Sequence, residues 1–392
     1  MIATDVSTPA QPSGPPAPRS APRLRAGLAL AAALAACAPA TEDGSLPSDR
    51  LFAVRVGGPV GLIDAGGRMV VEPRFDVAGA WSEGMIPVAE GGKWGYADRS
   101  GRLAIPLRFG DAAAFSGGLA AVAVDPGIGS AAEEGPLLVV GPGVLSPRRG
   151  GYVDPSGEMA IEARFRGVTS FAEGRAAARE GEPWGYIDES GAWAVEPRFA
   201  VAGPFSEGLA AVAEREGEVG FIDPSGEWAI PPRFTEAYSF SEGLAPARVA
   251  DGTWGFVRPD GSWAIEPGFY WAGGFGDGLA PVKIGARWGY VDAAGRVVVE
   301  PRFERAEPFS EGRAAVLVPG AVWPEPGADR RRRAPRPPGP SKWGYIDTAG
   351  AGVGEPVWDR ADPFRGGLAA VQRGQDWGYV GSDGRVVWEP SS

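Results

Sequence analysis

The sequence predicts an all-β protein made of nine tandem units of 34–35 residues, each with three to four strands. Two features of the composition and one of the pattern support this prediction. Glycine and proline account for 61 and 39 of the 392 residues, and both disfavour helices. Aromatic residues make up 10% of the chain and include 14 tryptophans, a content that disordered chains lack. A short aromatic motif also recurs at a nearly constant spacing.

The N-terminal segment, residues 1–36, is predicted to be a signal peptide with a disordered N-terminal extension. Arg23 and Arg25 precede an apolar run at 26–36, which is too short to cross a membrane as a permanent helix. The run ends in Leu-Ala-Ala followed by Cys37, the only cysteine of the chain. This ending resembles the lipobox of bacterial lipoproteins, which implies cleavage before Cys37 and lipidation of its sulfur. A plain secretory signal with an incidental cysteine is the alternative.

Residues 37–50 are predicted to form a flexible, lipid-anchored tether, because they are polar and contain glycine and proline. Ala38 follows the cysteine in place of an aspartate. In the usual sorting rule of lipoproteins this favours the outer membrane, in a cell that has one. We therefore expect the chain at the bacterial cell envelope, with membrane contact only through the Cys37 lipid.

Residues 51–390 contain the repeat array, whose clearest motif is Trp-Gly-Tyr-Ile-Asp-x-x-Gly at 184–191. The glycine of this motif falls at positions 61, 95, 151, 185, 220, 255, 289, 344 and 378, and the copies at 61, 151 and 220 lack the tryptophan. Six of these eight spacings are 34 or 35 residues, and the other two are about 21 residues longer. The insertions, at about 125–149 and 319–341, are rich in proline and glycine and are expected to be loops. The second carries the arginine run 330–333, for which solvation is favoured over a phosphate or lipid-headgroup contact.

Two further motifs recur in step with the first. They are Glu-Pro-Arg-Phe, as at 196–199, and Phe-Ser-Glu-Gly-Leu-Ala, as at 205–210. Together these columns resemble the WG-repeat family of bacterial proteins, also called KWG repeats, over about 340 of the 392 residues. The resemblance implies a repeat architecture, and it implies no particular activity, because the family has no common biochemical assignment.

Each unit is predicted to be a β-meander, with strands in the fifth unit at 209–213, 219–222 and 228–231. Gly220 is expected to allow a close backbone approach, and Pro231 and Pro232 are expected to end the third strand. The segment 199–205 is a candidate for a short fourth strand. The recurring aromatic residues are expected to form a core shared between units. A propeller-like ring and a curved β superhelix both satisfy this pattern.

Acidic residues recur in two columns. An aspartate opens the Asp-x-x-Gly turn at positions 64, 98, 154, 188, 223, 292 and 347. Turn capping is predicted for it over ligand binding or catalysis, because calcium loops of the Asp-x-Asp-x-Asp-Gly kind are absent from the sequence. The glutamate of Phe-Ser-Glu-Gly is replaced by Gly117 and Gly366 in two units. It is therefore predicted to be a solvated turn residue.

Trp193, Trp228 and Trp263 are the candidate ligand-binding residues. They lie two residues after the turn glycine in three successive units, where units 2, 3 and 7 have Leu103, Met159 and Val297. If these side chains are exposed, they form an aromatic row suited to stacking on sugars or peptides. Packing between units is the alternative interpretation.

The composition excludes several classes of function. The chain has no histidine and one cysteine, which removes Ser-His-Asp triads, Cys-His dyads, thiolate clusters and most zinc sites. The net charge of −11 disfavours nucleic-acid binding. We therefore expect a non-enzymatic binding or scaffold lipoprotein with a protein or glycan partner and no metal or cofactor. A carboxylate-based envelope glycoside hydrolase is the alternative, as is an intracellular repeat scaffold if the signal is false.

Overall fold

The computed structural model describes residues 50–124, 149–323 and 339–389. Within these ranges the regular structure is antiparallel β-sheet, apart from one 3-10 turn at Pro319–Ala321. No helix in the same ranges is long and apolar enough to cross a membrane. The predictions for the signal peptide, Cys37, the tether and the arginine run lie outside the described residues, as does most of both insertions.

The strands form nine sheets, called blades 1 to 9 in chain order. Their strands are, in blade 1, β1 Leu51–Arg55, β2 Val60–Asp64 and β3 Met69–Phe75; in blade 2, β4 Val77–Ala78, β5 Met85–Glu90, β6 Lys93–Asp98 and β7 Leu103–Phe109; in blade 3, β8 Asp111–Ala112, β9 Ala120–Ala123, β10 Gly150–Val153 and β11 Met159–Phe165; in blade 4, β12 Gly167–Val168, β13 Ala176–Arg179, β14 Trp184–Ile187 and β15 Trp193–Phe199; in blade 5, β16 Val201–Ser206, β17 Leu209–Ala213, β18 Val219–Ile222 and β19 Trp228–Phe234; in blade 6, β20 Glu236–Ala237, β21 Ala245–Arg248, β22 Trp254–Val257 and β23 Trp263–Phe269; in blade 7, β24 Trp271–Ala272, β25 Leu279–Ile284, β26 Arg287–Asp292 and β27 Val297–Phe303; in blade 8, β28 Arg305–Ala306, β29 Arg313–Val318, β30 Lys342–Asp347 and β31 Gly352–Trp358; and in blade 9, β32 Arg360–Ala361, β33 Leu368–Arg373, β34 Asp376–Gly381 and β35 Val386–Trp388.

Blades 2 to 9 share one order of four strands, which follow one another across the sheet as they do along the chain. The first strand is usually short, the second is rich in alanine, the third holds the Trp-Gly motif or its copy without tryptophan, and the fourth is usually seven residues long. The short extra strand predicted near 199–205 is present as β16. Blade 1 has three strands, because no first strand precedes β1 among the described residues.

The strand that the sequence predicts as the third of each unit is the fourth strand of the sheet, and it is longer than predicted. In blade 5 it continues through Pro231 and Pro232 to Phe234, so the prediction that the prolines end this strand is wrong. Both prolines are exposed and the strand lies at the edge of its sheet, where a proline need not remove a ladder hydrogen bond. The close approach predicted at Gly220 is confirmed, because a Cβ atom there would lie 2.5 Å from the carbonyl oxygen of Ile230.

Blades 1 and 9 contact each other, so the array is a closed nine-bladed propeller. The hydroxyl of Tyr379 in β34 donates a 2.9 Å hydrogen bond to the carbonyl oxygen of Ala53 in β1. The ring of Phe52 packs edge-on against the same tyrosine, with 5.5 Å between the ring centroids. Of the two architectures that the sequence leaves open, the structure has the ring.

The apolar core lies between blades. Tyr186 and Phe199 of blade 4 pack against Phe205 and Val212 of blade 5. The Tyr186 hydroxyl also donates a 2.6 Å hydrogen bond to the carbonyl oxygen of Gly203 in blade 5. The same hydrogen bond to the next blade is made by the tyrosines at 96, 152, 290 and 345. Each blade therefore depends on its neighbours for its core, as expected of a repeat array.

The short first strands surround the central axis. The turn between the first and second strands contacts the same turn in the next blade: Ser206 Oγ donates to the Phe240 carbonyl at 2.8 Å, and Ser241 Oγ to the Phe275 carbonyl at 2.7 Å. Equivalent points on neighbouring blades come this close only near the axis, because the fourth strand lies three strand spacings, about 14 Å, farther out. The fourth strands therefore form the outer surface of the ring.

Candidate functional site on the upper rim

The antiparallel order divides the connections between two faces of the ring. We call the face with the turns between strands 1 and 2 and between strands 3 and 4 the lower face. The upper face carries the connections between strands 2 and 3 and from each fourth strand to the next blade. Both insertions are connections between strands 2 and 3, in blades 3 and 8, so they start from the upper face.

On the lower face, a carboxylate links most blades to the next one. Glu173 accepts hydrogen bonds from the backbone N–H groups of Glu207 at 2.7 Å and Gly208 at 2.9 Å in blade 5. We call this arrangement the inner-turn clasp. Bonds of the same kind are accepted by Glu83, Glu207, Glu242, Asp277 and Glu311. The prediction of a solvated turn residue is confirmed, because these acids are exposed in their turns, but the sequence did not predict that the carboxylate also binds the turn of the next blade.

The clasp acids have a backbone conformation that disfavours their side chains. The φ angles of Glu173 and Glu207 are 52° and 54°, in the left-handed region where a non-glycine residue costs about 1–2 kcal/mol. Gly117 and Gly366 occupy this position in blades 3 and 9 with φ of 65° and 64°, without that cost. An acid at this position is consistent with the clasp offsetting the strain of the turn.

The Asp-x-x-Gly aspartates cap their own turns, as predicted. Asp188 Oδ1 accepts hydrogen bonds from the Ser190 N–H at 2.9 Å, the Ser190 hydroxyl at 2.6 Å and the Ala192 N–H at 3.1 Å. The hydrogen bond from the Ser190 side chain is the main reason that the pKa of Asp188 is lowered. These carboxylates are therefore committed to local structure.

Trp193, Trp228 and Trp263 each start an outer strand beside the lower face. All three are half-buried, and their rings meet a phenylalanine of the preceding blade edge-on. The centroid distances to Phe165, Phe199 and Phe234 are 5.8, 6.1 and 5.7 Å. The structure thus gives this row a packing role between blades, and its ligand-binding role stays a prediction.

The repeat symmetry is broken on the upper face, at the first residue of each first strand. We call this set the upper rim: Val77, Asp111, Gly167, Val201, Glu236, Trp271, Arg305 and Arg360. In blades 2 to 5 the position holds mostly small or apolar residues. In blades 7, 8 and 9 it holds Trp271, Arg305 and Arg360, all exposed. Three consecutive blades thus place an aromatic ring and two cations at neighbouring positions around the axis.

Trp271 belongs to an aromatic cluster between blades 6 and 7. The buried Trp254 lies 5.2 Å from both Tyr238 and Trp271, measured between ring centroids, and it stacks on Tyr238 with 16° between the planes. Burial raises the pKa of Tyr238 to about 12. Trp271 is 39% exposed and the preceding Tyr270 is 68% exposed, and these are the only exposed aromatic side chains in the described ranges.

Three acids in or next to the upper rim pair with cations other than the rim arginines Arg305 and Arg360. Glu236 accepts a 2.6 Å hydrogen bond from Arg248, Glu304 lies 3.5 Å from Arg287, and Asp359 pairs with Lys342. Glu307 and Asp362, two residues beyond the rim arginines, are half-buried, and burial raises the pKa of each carboxyl. In the part of the chain that the structure describes, no group of three or more acidic or cysteine side chains could hold a metal ion.

Comparison with known proteins identifies the repeat. The model of the WG containing repeat matches residues 61–94, 94–125, 151–182, 184–216, 220–252, 254–288, 288–318 and 343–375, which together exceed half of the chain. The chain belongs to the WG-repeat family. The Trp-Gly motif of the ninth unit of this WG-repeat protein, Trp377-Gly378, follows the last matched segment and forms part of β34.

One solved structure supports the fold of this WG-repeat propeller. A eukaryotic initiation factor is 11% identical, has a TM-score of 0.57, and is matched over 86% of this chain and 95% of its own. BamB from Moraxella catarrhalis is 10% identical with a TM-score of 0.41, over 70% of this chain and 92% of its own. At these identities only the fold is informative, and the second similarity is too weak to support an argument. No curated protein matches the sequence.

Sequence reasoning missed the upper rim of the WG-repeat propeller. The signal was present, because Tyr270-Trp271 is aromatic where the other units have no aromatic residue in either column. Its meaning depends on knowing which strand is innermost, and the repeat pattern does not contain that information. The half-buried Trp row can be recognised in the sequence because it recurs in successive units, whereas the rim residue differs from blade to blade.

Proposed function

We propose that this WG-repeat protein is a non-enzymatic binding scaffold on the bacterial cell envelope that presents its upper rim to a protein or glycan. The observation that carries the proposal is the local loss of symmetry at Trp271, Arg305 and Arg360. Blades 2, 4 and 5 fill the same column with valine or glycine, so packing of the ring does not require these side chains. Exposed aromatic residues beside charged ones are typical of binding surfaces.

The use of the repeated acids supports binding without turnover. A glycoside hydrolase needs two carboxyl groups that face one another across its substrate. In this propeller the repeated acids bind backbone N–H groups, either in their own turn, as Asp188 does, or in the next blade, as Glu173 does. We therefore place the hydrolase alternative second.

The predicted lipid on Cys37 supports the envelope location, with the tether at 37–50 leading directly into β1. Metabolic labelling with a fatty-acid probe tests this part of the proposal in the wild type and in Cys37→Ser. We expect label on the wild type alone, in the membrane fraction. Equal labelling of both proteins, or a wild type found in the cytoplasm, would favour an intracellular scaffold.

The binding role is tested by screening the full chain on glycan and peptide arrays. The comparison variant is Trp271→Leu, and the control is Val298→Ala, which alters an exposed valine on an outer strand. We expect saturable binding that the control retains and Trp271→Leu loses, with the ligand recovered intact by mass spectrometry. Release of new reducing ends from a glycan would instead identify a hydrolase.

A further inference from the structure

This inference rests on the proposed binding role and names its ligand. We infer that the upper rim of blades 7 to 9 binds an acidic saccharide, with Trp271 stacking on a sugar ring and Arg305 and Arg360 holding its anionic groups. The three side chains occupy one column of three consecutive blades. Because first strands approach each other most closely near the axis, one oligosaccharide can reach all three positions.

Trp271 is held in place before any ligand arrives. Its indole lies 5.2 Å from the ring of Trp254 and 6.3 Å from the ring of Tyr238, centroid to centroid, while 39% of the residue remains exposed. A rotamer fixed by packing loses little conformational entropy on binding. A fixed, partly exposed aromatic surface suits the apolar C–H face of a pyranose ring, whereas a small inorganic anion would gain nothing from it.

The two arginines each interact electrostatically with a half-buried carboxyl group, Arg305 with Glu307 and Arg360 with Asp362, but neither pair forms a salt bridge. In the part of the chain that the structure describes, neither Arg305 nor Arg360 forms a salt bridge, and both are exposed. The guanidinium of Arg360 lies 5.6 Å from the centre of the Trp377 ring, which restricts its orientation. A guanidinium presents a planar set of N–H donors that matches a carboxylate or sulfate.

The surrounding charges allow an anion to approach. Two acids in or beside the rim pair with cations that are not in it: Glu236, the rim residue of blade 6, pairs with Arg248, and Asp359, which precedes Arg360, pairs with Lys342. Lys283 faces Trp271 across the first two strands of blade 7 and adds a further positive charge. Glu307 and Asp362, near the arginines, are the opposing groups, and burial favours their neutral form.

A saccharide fits these observations better than a nucleic acid does. The net charge of −11 opposes a long polyanion with a charge on every residue. A single aromatic platform beside two cations instead matches one sugar ring flanked by one or two anionic substituents.

The test measures binding of the full chain to oligogalacturonate and to the same oligosaccharide with its carboxylates methyl-esterified. We expect the ester to bind at least about tenfold more weakly, which is the loss of roughly one charge-assisted hydrogen bond. Arg305→Gln/Arg360→Gln and, separately, Trp271→Leu should each weaken binding of the acid form by a similar factor. Thermal unfolding of each variant confirms that it is folded, and Trp271→Phe, which keeps an aromatic ring, should recover part of the affinity.

The control is Arg68→Gln/Arg102→Gln, which removes the same charge from exposed turns on the lower face. Equal weakening in this control, or equal affinity for acid and ester, would overturn the inference, as would Trp271-dependent binding of single-stranded DNA with no binding of the acidic sugar. A neutral glycan or peptide whose binding requires Trp271 and neither arginine would keep the binding role and refute the acidic ligand. Failure of every array ligand to bind would refute both.

Discussion

Two joints of the ring differ in how they hold their blades together. At the joint between blades 4 and 5, the Tyr186 hydroxyl reaches the Gly203 carbonyl at 2.6 Å, its ring packs on Phe205 at 4.9 Å, and Glu173 clasps the next turn. At the joint that closes the ring, between blades 9 and 1, the tyrosine contact is kept and the clasp is not, because Gly366 replaces the acid.

The closing joint also has a different aromatic partner for its tyrosine. The described residues of blade 1 include no first strand, and so no member of the Phe205 column. Phe52 supplies an aromatic ring from β1 instead, at a position where the other units have isoleucine or alanine, and packs on Tyr379 at 5.5 Å. The closing joint thus keeps the tyrosine hydrogen bond and an aromatic partner for that tyrosine, and it has no clasp acid.

The largest expected effect comes from removing that aromatic partner. Phe52→Ala should lower the free energy of unfolding by about 3–5 kcal/mol, as for other buried large aromatic residues. Hydrogen exchange should rise first in blades 1 and 9, because the ring then opens at its closing joint. Phe205→Ala is the matched variant, with exchange rising in blades 4 and 5. Faster exchange spread evenly over the ring in both variants would mean that the joints do not act separately.

The tyrosine hydrogen bonds are expected to have the next largest effect. Tyr379→Phe and Tyr186→Phe each leave a carbonyl oxygen without its donor, which should cost about 1–3 kcal/mol in chemical denaturation. Similar losses of stability for the two variants would show that the closing joint depends on its tyrosine hydrogen bond as much as the joint between blades 4 and 5 does. A negligible loss for Tyr379→Phe alone would mean that Phe52 closes the ring without the hydrogen bond.

The same tyrosines should make the ring sensitive to alkali. Burial raises the pKa of Tyr186 and of Tyr379 above the usual value, so the folded state favours the neutral phenol. Their contribution is complete below the unfolded pKa of about 10 and declines as the pH rises above it. Unfolding followed from pH 8 to 12 should therefore show stability falling above pH 10, less steeply in either Phe variant. A flat profile over that range would contradict this expectation.

Sequence reasoning recovered the structure within one unit and the aromatic core shared between units, but it missed the polar contacts that join units. The turn role of Asp188 and the close approach at Gly220 follow from neighbouring residues, and both were predicted correctly. The role of Glu173 could not be read in the same way, because its partners lie 34 and 35 residues away and its left-handed backbone leaves no mark in the sequence. The positions of the upper rim and the contact of Phe52 follow from closure of the ring, and the repeat pattern did not decide between a ring and a superhelix.

Removal of one inner-turn clasp should have a smaller effect on the stability of the ring. The order of stability among the wild type and two variants at Glu173 tests whether the turn is strained. Glu173→Gln keeps the unfavourable left-handed turn and weakens the acceptor, so it should be less stable than the wild type. Glu173→Gly loses the carboxylate and also relieves the turn, so it should lie between the two, within about 1 kcal/mol of the wild type. Thermal unfolding checks the order. A glycine variant less stable than the glutamine variant would show that backbone strain at this turn is unimportant.

The smallest effect is expected from adding a clasp where one is missing. Gly117 has φ of 65°, close to that of the clasp acids, and a Cβ atom there would meet nothing nearer than 3.7 Å. A glutamate can therefore extend towards the turn at Glu173 and Gly174. However, an oxygen of Glu189 lies 4.0 Å from that Cβ position and would repel the new carboxylate.

We expect Gly117→Glu alone to leave the unfolding temperature nearly unchanged, because strain and repulsion offset the new hydrogen bonds. In a Glu189→Gln background the same substitution should raise the unfolding temperature relative to Glu189→Gln alone. If it lowers stability in both backgrounds, the clasp is too weak to offset its own strained turn, and the acids at this position need another explanation.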